Sequence, residues 1–139
     1  MSDMPKDAIR GFYESYNEGD LDQTWERYVA ADLINHALGG AYDRDAWRET
    51  DKALFSAFAE VGAEVRDQVA EGDKVATRYA ITATGQVADF FGIPASGATA
   101  TLTGISFDRV SRGKFAEHWA ENDLAGFLEQ LKATATSAA

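Results

Sequence analysis

Apolar residues recur at helical spacing from the start of the chain to Gly62, and this pattern predicts three helices. The buried stripe of the first helix ends at Tyr16. Asp20 stands where an N-cap is expected, so it predicts the start of a second helix, whose apolar face includes Trp25. A third helix is predicted between a cap at Asp43 and a stop at Gly62.

Beyond Gly62, apolar and polar residues alternate, which is typical of strands. Two strand-like runs flank a turn at 71–73, two more flank a turn at 111–114, and a loop rich in Gly and Pro lies between the pairs. A last helical stripe begins at Leu124. We therefore predict an α+β fold with three helices, a curved antiparallel sheet and a closing helix. One domain is expected at 1–132, followed by a disordered tail at 133–139.

The composition limits the classes of partner. The 139 residues include 13 basic and 23 acidic side chains, which gives a formal net charge of −10 at pH 7. Nucleic acids and anionic membranes are bound by basic surfaces, so neither is expected as a partner. The chain has no cysteine, which excludes disulfides and cysteine nucleophiles. The first residues lack the apolar core of a signal peptide, and we expect a cytoplasmic protein.

Three stretches carry a resemblance to a known family. They are NHA at 35–37, DFFGIPASGATATLTGISFDRV at 89–110 and GKFAEHWAENDLAGFLEQL at 113–131. Together with the order of elements, they resemble the SnoaL-like polyketide cyclases of the nuclear transport factor 2-like fold, a cone of bent sheet closed by helices. The resemblance implies an aldol ring closure, without cofactor or metal, on a small apolar or aromatic carbonyl compound. It also implies a homodimer through the outer face of the sheet.

The resemblance further implies roles for single residues. The acid/base aspartate of the family would fall on Asp123, its strand histidine on His118 and its pocket-edge histidine on His36. Two positions depart from the family pattern, since Gln86 stands where a histidine is common and Ala98 where a basic residue is common. These departures bear on the substrate more than on the fold.

The residue types suit an aldol step, which needs a base beside a carbonyl compound and a donor for the oxygen that becomes negative. Burial among aromatic rings would raise the pKa of a carboxylate towards that task. We predict substrate contacts from polar and aromatic residues near the predicted pocket: Asn35, His36, Tyr16, Trp25, Trp119 and Phe91.

Structural roles stay open for several of these residues. Asp123 directly precedes the last helix and would also serve as its N-cap, a contact worth about 1 kcal/mol. Asn35 and His36 could form a satisfied core pair, and the loop of Phe91 could close over the pocket or simply anchor a turn. The histidines show no metal-ligand spacing, so no metal site is expected.

Three functions are alternatives on this fold. The first is an acid/base cyclase or isomerase. The second is a cofactor-independent hydroxylase or an epoxide hydrolase, which would need an arginine between two carboxylates, with Arg78 and Arg109 as candidates. The third is a binding or dimerisation module without turnover. A buried, inward Asp123 would favour catalysis, whereas an exposed Asp123 that only caps the helix would favour the binding module.

Overall fold

The computed structural model describes residues 4–37 and 42–137. The elements along the chain are α1 (Met4–Ser15), a short 3₁₀ helix (Tyr16–Glu18), α2 (Leu21–Tyr28), β1 (Val29–Asn35), β2 (Tyr42–Asp43), α3 (Arg44–Ala57), β3 (Phe58–Glu71), β4 (Lys74–Gln86), β5 (Ala100–Ser111), β6 (Lys114–Asn122) and α4 (Leu124–Ser137). The predicted cap at Asp43 depends on a side chain outside the described part of the chain.

The strands form one sheet in the order β2-β1-β6-β5-β4-β3. Neighbouring strands run antiparallel, except that β1 lies parallel to β6. The sheet is curved and does not close, and its combination with four helices confirms the predicted α+β fold. We call the face that packs against α1, α2 and α3 the inner face, and the opposite one the outer face.

The core lies between the inner face and the first three helices. Its largest fully buried apolar side chains come from the sheet, from α1 and α2, and from α4, which adds to the core: Trp25, Phe12, Phe115, Phe127, Ile9, Leu131, Val29 and Val75. Phe12 of α1 packs against the rings of Trp25 and Phe115, so the first helix is held by aromatic contacts. Each such ring contributes about 1.5–3 kcal/mol when it leaves water.

The predicted cap of α2 is confirmed, but the predicted end of α3 is wrong. Asp20 Oδ1 accepts the backbone N–H of Gln23 at 3.1 Å. α3 ends at Ala57, and Gly62 lies inside β3. There the amide of Asn17 pairs with the backbone of Ala63, and a Cβ on Gly62 would lie 2.5 Å from Asn17 Oδ1. Gly62 therefore permits a close approach and does not stop a helix.

Both predicted turns between strands are confirmed, with Gly72 and Gly113 at φ of 61° and 77°. The predicted tail is wrong for most of its length, because α4 continues to Ser137, past the boundary expected at residue 132. Leu131 anchors this helix in the core, and Ala135 further along is half-buried against it. Within the described residues, no helix is long and apolar enough to cross a membrane.

Candidate active site

A histidine and an aspartate are paired on the inner face of the sheet. His118 of β6 lies opposite Asp108 of β5, and its Nδ1 is 2.5 Å from Asp108 Oδ1. The two residues are only 4% and 0% exposed. Burial raises the pKa of Asp108, while the charge and hydrogen bond of His118 act in the opposite direction. The pair is therefore a desolvated imidazole whose orientation is fixed by a carboxylate.

A second buried carboxylate belongs to Asp51 of α3. Its Oδ2 accepts hydrogen bonds from Tyr16 Oη at 2.5 Å and from Trp25 Nε1 at 3.2 Å. Burial raises the pKa of Asp51 from 3.8 to about 6, although both hydrogen bonds and the charge of His118 lower it. The influence of His118 on this pKa places Asp51 in the same electrostatic environment as the first pair.

Aromatic rings enclose the two pairs. The Trp47 ring stacks on the His118 ring, with centroids 4.1 Å apart and planes 10° apart. Phe115 contacts the same imidazole in a tilted arrangement. Tyr13 stacks on Tyr79 at 4.6 Å, and burial raises the pKa of the Tyr13 hydroxyl well above its usual value. These rings exclude water, which strengthens every electrostatic interaction among the polar groups.

Three buried polar atoms on the described inner face have no hydrogen-bond partner: Asn35 Nδ2, Ser106 Oγ and Asp108 Oδ2. Asn35 is paired in register with His118 and uses its Oδ1 to accept the backbone N–H of Ala37 at 2.8 Å. The Ser106 hydroxyl lies near Asp108 and Tyr13 and lowers the pKa of both groups, although its geometry is too poor for a regular hydrogen bond. Buried groups of this kind cost about 1–3 kcal/mol each when unpaired. Of the three, the Asn35 Nδ2 donor is available to a ligand that accepts a hydrogen bond.

The predicted inward placement of Asp123 is wrong. Its side chain is exposed, and Oδ1 accepts the backbone N–H of Gly126 at 2.9 Å, as an N-cap of α4 does. The residue borders an open surface groove of about 600 Å³ that also includes Arg78 and Glu121. An exposed capping carboxylate lacks the buried surroundings that the predicted acid/base role needs.

His36 and Trp119 lie on the outer face, away from the paired carboxylates. Their rings stack at 4.5 Å, and His36 Nε2 is 2.9 Å from Glu117 Oε2. Arg109 Nε donates to the other oxygen of Glu117 at 2.8 Å, and both partners lower the pKa of that carboxyl. The structure therefore does not bring these two predicted substrate contacts to the inner face, whereas it does bring Asn35 there.

Phe91 is exposed in the loop between β4 and β5, at a φ of 49°. Its neighbour Phe90 is the buried anchor and packs against Phe58 and Phe127. The predicted contact from Phe91 thus lies at the surface, and the turn interpretation of this loop fits the structure.

The arginines considered for epoxide opening also lie outside the core. Arg109 belongs to the outer pair with Glu117, and Arg78 makes a 4.0 Å ion pair with exposed Asp67. Neither stands between two buried carboxylates. Within the described residues, no three His, Asp or Glu side chains lie close enough to hold a metal ion.

The family model for SnoaL-like polyketide cyclases matches residues 6–131. The chain belongs to the SnoaL-like polyketide cyclase family. Among solved structures, IdmH from Streptomyces antibioticus, a candidate polyketide cyclase, is 33% identical over 92% of this chain and 98% of that chain, with a TM-score of 0.80. TsrD from Streptomyces laurentii is 27% identical over 96% of this chain and 98% of that chain, with a TM-score of 0.80.

A third solved structure extends the likeness in fold alone. AclR from Streptomyces galilaeus, a candidate hydroxylase, is 22% identical over 93% of this chain and 96% of that chain, with a TM-score of 0.83. No curated protein sequence matched the chain significantly.

In this SnoaL-like domain, sequence reasoning missed both buried carboxylates. Asp51 lies four residues after Trp47 and three before Leu54, so it falls on the apolar stripe of α3. Asp108 alternates with Ser106 and Val110 on the buried side of β5. A charged residue at a position that the periodicity assigns to the core is the signal that could have identified each of them.

Proposed function

We propose that this protein is an acid/base enzyme that acts on a small apolar carbonyl compound, by an aldol-type ring closure or an isomerisation without cofactor. The observation that carries this proposal is the burial of the His118–Asp108 and Tyr16–Asp51 pairs in one aromatic core. Titratable groups with perturbed pKa values in an enclosed apolar region are typical of catalytic sites. Membership of the SnoaL-like family supports the same class of reaction.

His118 is the proposed base. With Nδ1–H donating to Asp108, the ring presents Nε2 as the nitrogen that can accept a proton. Nε2 takes a proton from the carbon next to the substrate carbonyl, and the C–H electrons form an enolate. Asp108 stabilises the resulting imidazolium and keeps the ring in the correct orientation.

The Tyr16–Asp51 pair is the proposed donor for the oxygen that becomes negative. When Asp51 is protonated, its O–H can donate to Tyr16 Oη, which frees the phenol proton to donate to the substrate oxygen. In a ring closure, the enolate carbon attacks a second carbonyl carbon and forms a C–C bond. The new alkoxide then takes the proton from His118. In an isomerisation, the same proton returns to a different carbon.

The core around the pairs matches an apolar substrate with few polar groups. Trp25 and Phe115 supply aromatic surface, and Asn35 Nδ2 supplies an unused N–H donor on the inner face. A substrate oxygen that accepts from Asn35 would relieve the cost of that unpaired amide. Trp25 also holds Asp51 through its indole N–H, so it positions the carboxylate and need not touch the substrate.

The test is exchange of substrate protons with deuterated water, followed by NMR on a panel of aryl ketones and β-keto esters. This assay measures proton abstraction without knowledge of the native substrate. His118→Gln and Asp108→Asn should each lower the exchange rate by about 10²–10⁴-fold, the usual contribution of a positioned acid or base. His36→Gln and Asp123→Asn are the matched controls, and both should exchange at the wild-type rate.

Wild-type exchange by His118→Gln would refute the proposed base. The second candidate is a ligand-binding module without turnover, and the exposed, capping position of Asp123 favours it. The binding module would be selected if the wild-type protein binds a ligand saturably but exchanges its protons only at the uncatalysed rate.

We further propose a homodimer through the outer face. Val69, Ala76, Phe107 and Trp119 form an apolar row across four strands on that face. Val69 and Phe107 are exposed, and such a row flanked by charged residues is typical of an interface core. Light scattering should give a dimer mass for the wild-type protein and a monomer mass for Phe107→Glu. A monomeric wild-type protein would contradict the proposal.

A further inference from the structure

The proposed site is closed in this structure. Tyr16, Asp51 and His118 are all buried, and each is packed under at least one aromatic ring or hydrogen-bonded to one. A substrate can reach the imidazole only when a neighbouring side chain moves. One of the residues around the imidazole must therefore open the site.

Trp47 is the side chain whose face covers the imidazole. Its ring is nearly parallel to that of His118, whereas Phe115 meets the same ring at 45°. Trp47 is 8% exposed and Phe115 is 0% exposed, so Trp47 lies on the solvent side. Of the two rings that contact the imidazole, that of Trp47 is therefore the less deeply buried.

The position of Trp47 in α3 links it to both buried pairs. Trp47 and Asp51 are four residues apart, so their side chains lie on the same side of the helix. The backbone of α3 is held independently, since Arg44 donates to the Trp25 carbonyl oxygen at 3.2 Å and Arg48 pairs with Asp22. Rotation of the indole can therefore uncover His118 while the helix stays in place.

We infer that Trp47 is the gate residue of this site: its indole turns away to admit the substrate, and a flat conjugated part of the substrate takes its place against His118. This inference rests on the proposed function. The stack between Trp47 and His118 is lost on opening, and a planar ligand restores an equivalent stack, which a saturated ligand of the same volume cannot do. The gate thereby selects for planar substrates.

The chain contains a matched control for this gate. Its two histidines are each covered by one tryptophan, His118 by Trp47 and His36 by Trp119. The second stack has a similar geometry, with centroids 4.5 Å apart and planes 12° apart, but it lies on the outer face, and the His36 side chain is 33% exposed. Removal of one indole should uncover only its own histidine.

The experiment measures the reaction of each histidine with diethyl pyrocarbonate, assigned by mass spectrometry of peptides. In the wild-type protein, His36 should react fast and His118 slowly. Trp47→Ala should raise the rate of His118 modification by about tenfold or more, because a stacked ring restricts local opening by about that factor. Trp47→Phe should raise the same rate by less. Trp119→Ala should accelerate His36 only.

An unchanged His118 rate in both Trp47 variants would overturn the gate. Acceleration of both histidines by Trp47→Phe, which keeps a ring in the core, would also count against it, because it would indicate general loosening. The modification rates do not depend on turnover, so they separate this inference from the proposed function. If His118 becomes accessible as expected but His118→Gln keeps full exchange activity, the gate stands and the proposed base is wrong.

Discussion

Replacement of Asp51 by Asn should stabilise this protein at neutral pH and impair its proposed chemistry. Burial raises the pKa of this carboxyl from 3.8 to about 6, a shift of about two units. Each unit corresponds to 1.36 kcal/mol, so ionised Asp51 costs the folded state about 3 kcal/mol. The amide introduced by the substitution would be neutral and could still accept from Tyr16 and Trp25 through its oxygen.

The sign of the pH dependence follows from the direction of this shift. Below about pH 3, Asp51 is protonated in the folded and the unfolded state and costs nothing. Between about pH 4 and 6 the unfolded state ionises while the folded state keeps its proton, so stability falls with rising pH, and above about 6 both states are ionised and the cost is constant. The stability gap between Asp51→Asn and wild type should therefore open from near zero at about pH 3 to about 3 kcal/mol at about pH 7.

Urea unfolding followed by far-ultraviolet circular dichroism, repeated across this pH range, measures the gap. Asp22→Asn provides a comparison of opposite sign, since Arg48 lowers the pKa of exposed Asp22 below 3.8. That variant should be less stable than wild type at neutral pH, and the deficit should shrink only below about pH 4. Two results would refute the reasoning. One is a difference in the free energy of unfolding between Asp51→Asn and wild type that is the same at both ends of the range. The other is a variant that is less stable than wild type at neutral pH. Proton exchange on the ketone panel should fall in the same variant.

Three further outcomes are expected. Asp123→Ala should lower the free energy of unfolding by about 1 kcal/mol through loss of the α4 cap, with exchange activity unchanged; a large loss of exchange would restore its predicted role as base. Tyr16→Phe should raise the pKa of Asp51 in a carboxyl NMR titration, because the Tyr16 hydrogen bond now lowers it; an unchanged value would contradict that contact. Gly62→Ala should destabilise the protein by about 1–3 kcal/mol in urea, because the added methyl group meets the Asn17 amide; wild-type stability would show that the amide can shift without loss.

The fold could be predicted because its signals are local. The period of the apolar residues changes from helical to alternating within a few residues of Gly62, and Asp20 and Gly72 mark a helix start and a hairpin turn. The site depends on which face of each strand points inwards. His118 and Trp119 occupy opposite faces, and only the pairing of β6 with β5 and β1 decides that the histidine faces the core.

Asp123 shows why proximity in sequence misled the site prediction. It follows the last residue of β6, so strand alternation no longer determines its direction, and the free N–H groups of α4 compete for its carboxylate. The local cap preference decides the outcome. Asp108 is distant from His118 in sequence and adjacent to it in space, and such a pair is visible only once the register between β5 and β6 is known.

The two buried carboxylates are difficult to explain as structural features. A cost of about 3 kcal/mol for Asp51 is a large part of the roughly 5–15 kcal/mol by which a domain is usually stable. An apolar residue at that position on α3 would pack against Tyr16 and Trp25 without this cost, and the adjacent core is already aromatic. Selection for stability alone would not keep such a group. Acid/base chemistry, in contrast, requires a carboxyl that gains or loses a proton near neutral pH. Asp51 meets this requirement close to the single buried histidine of the described core.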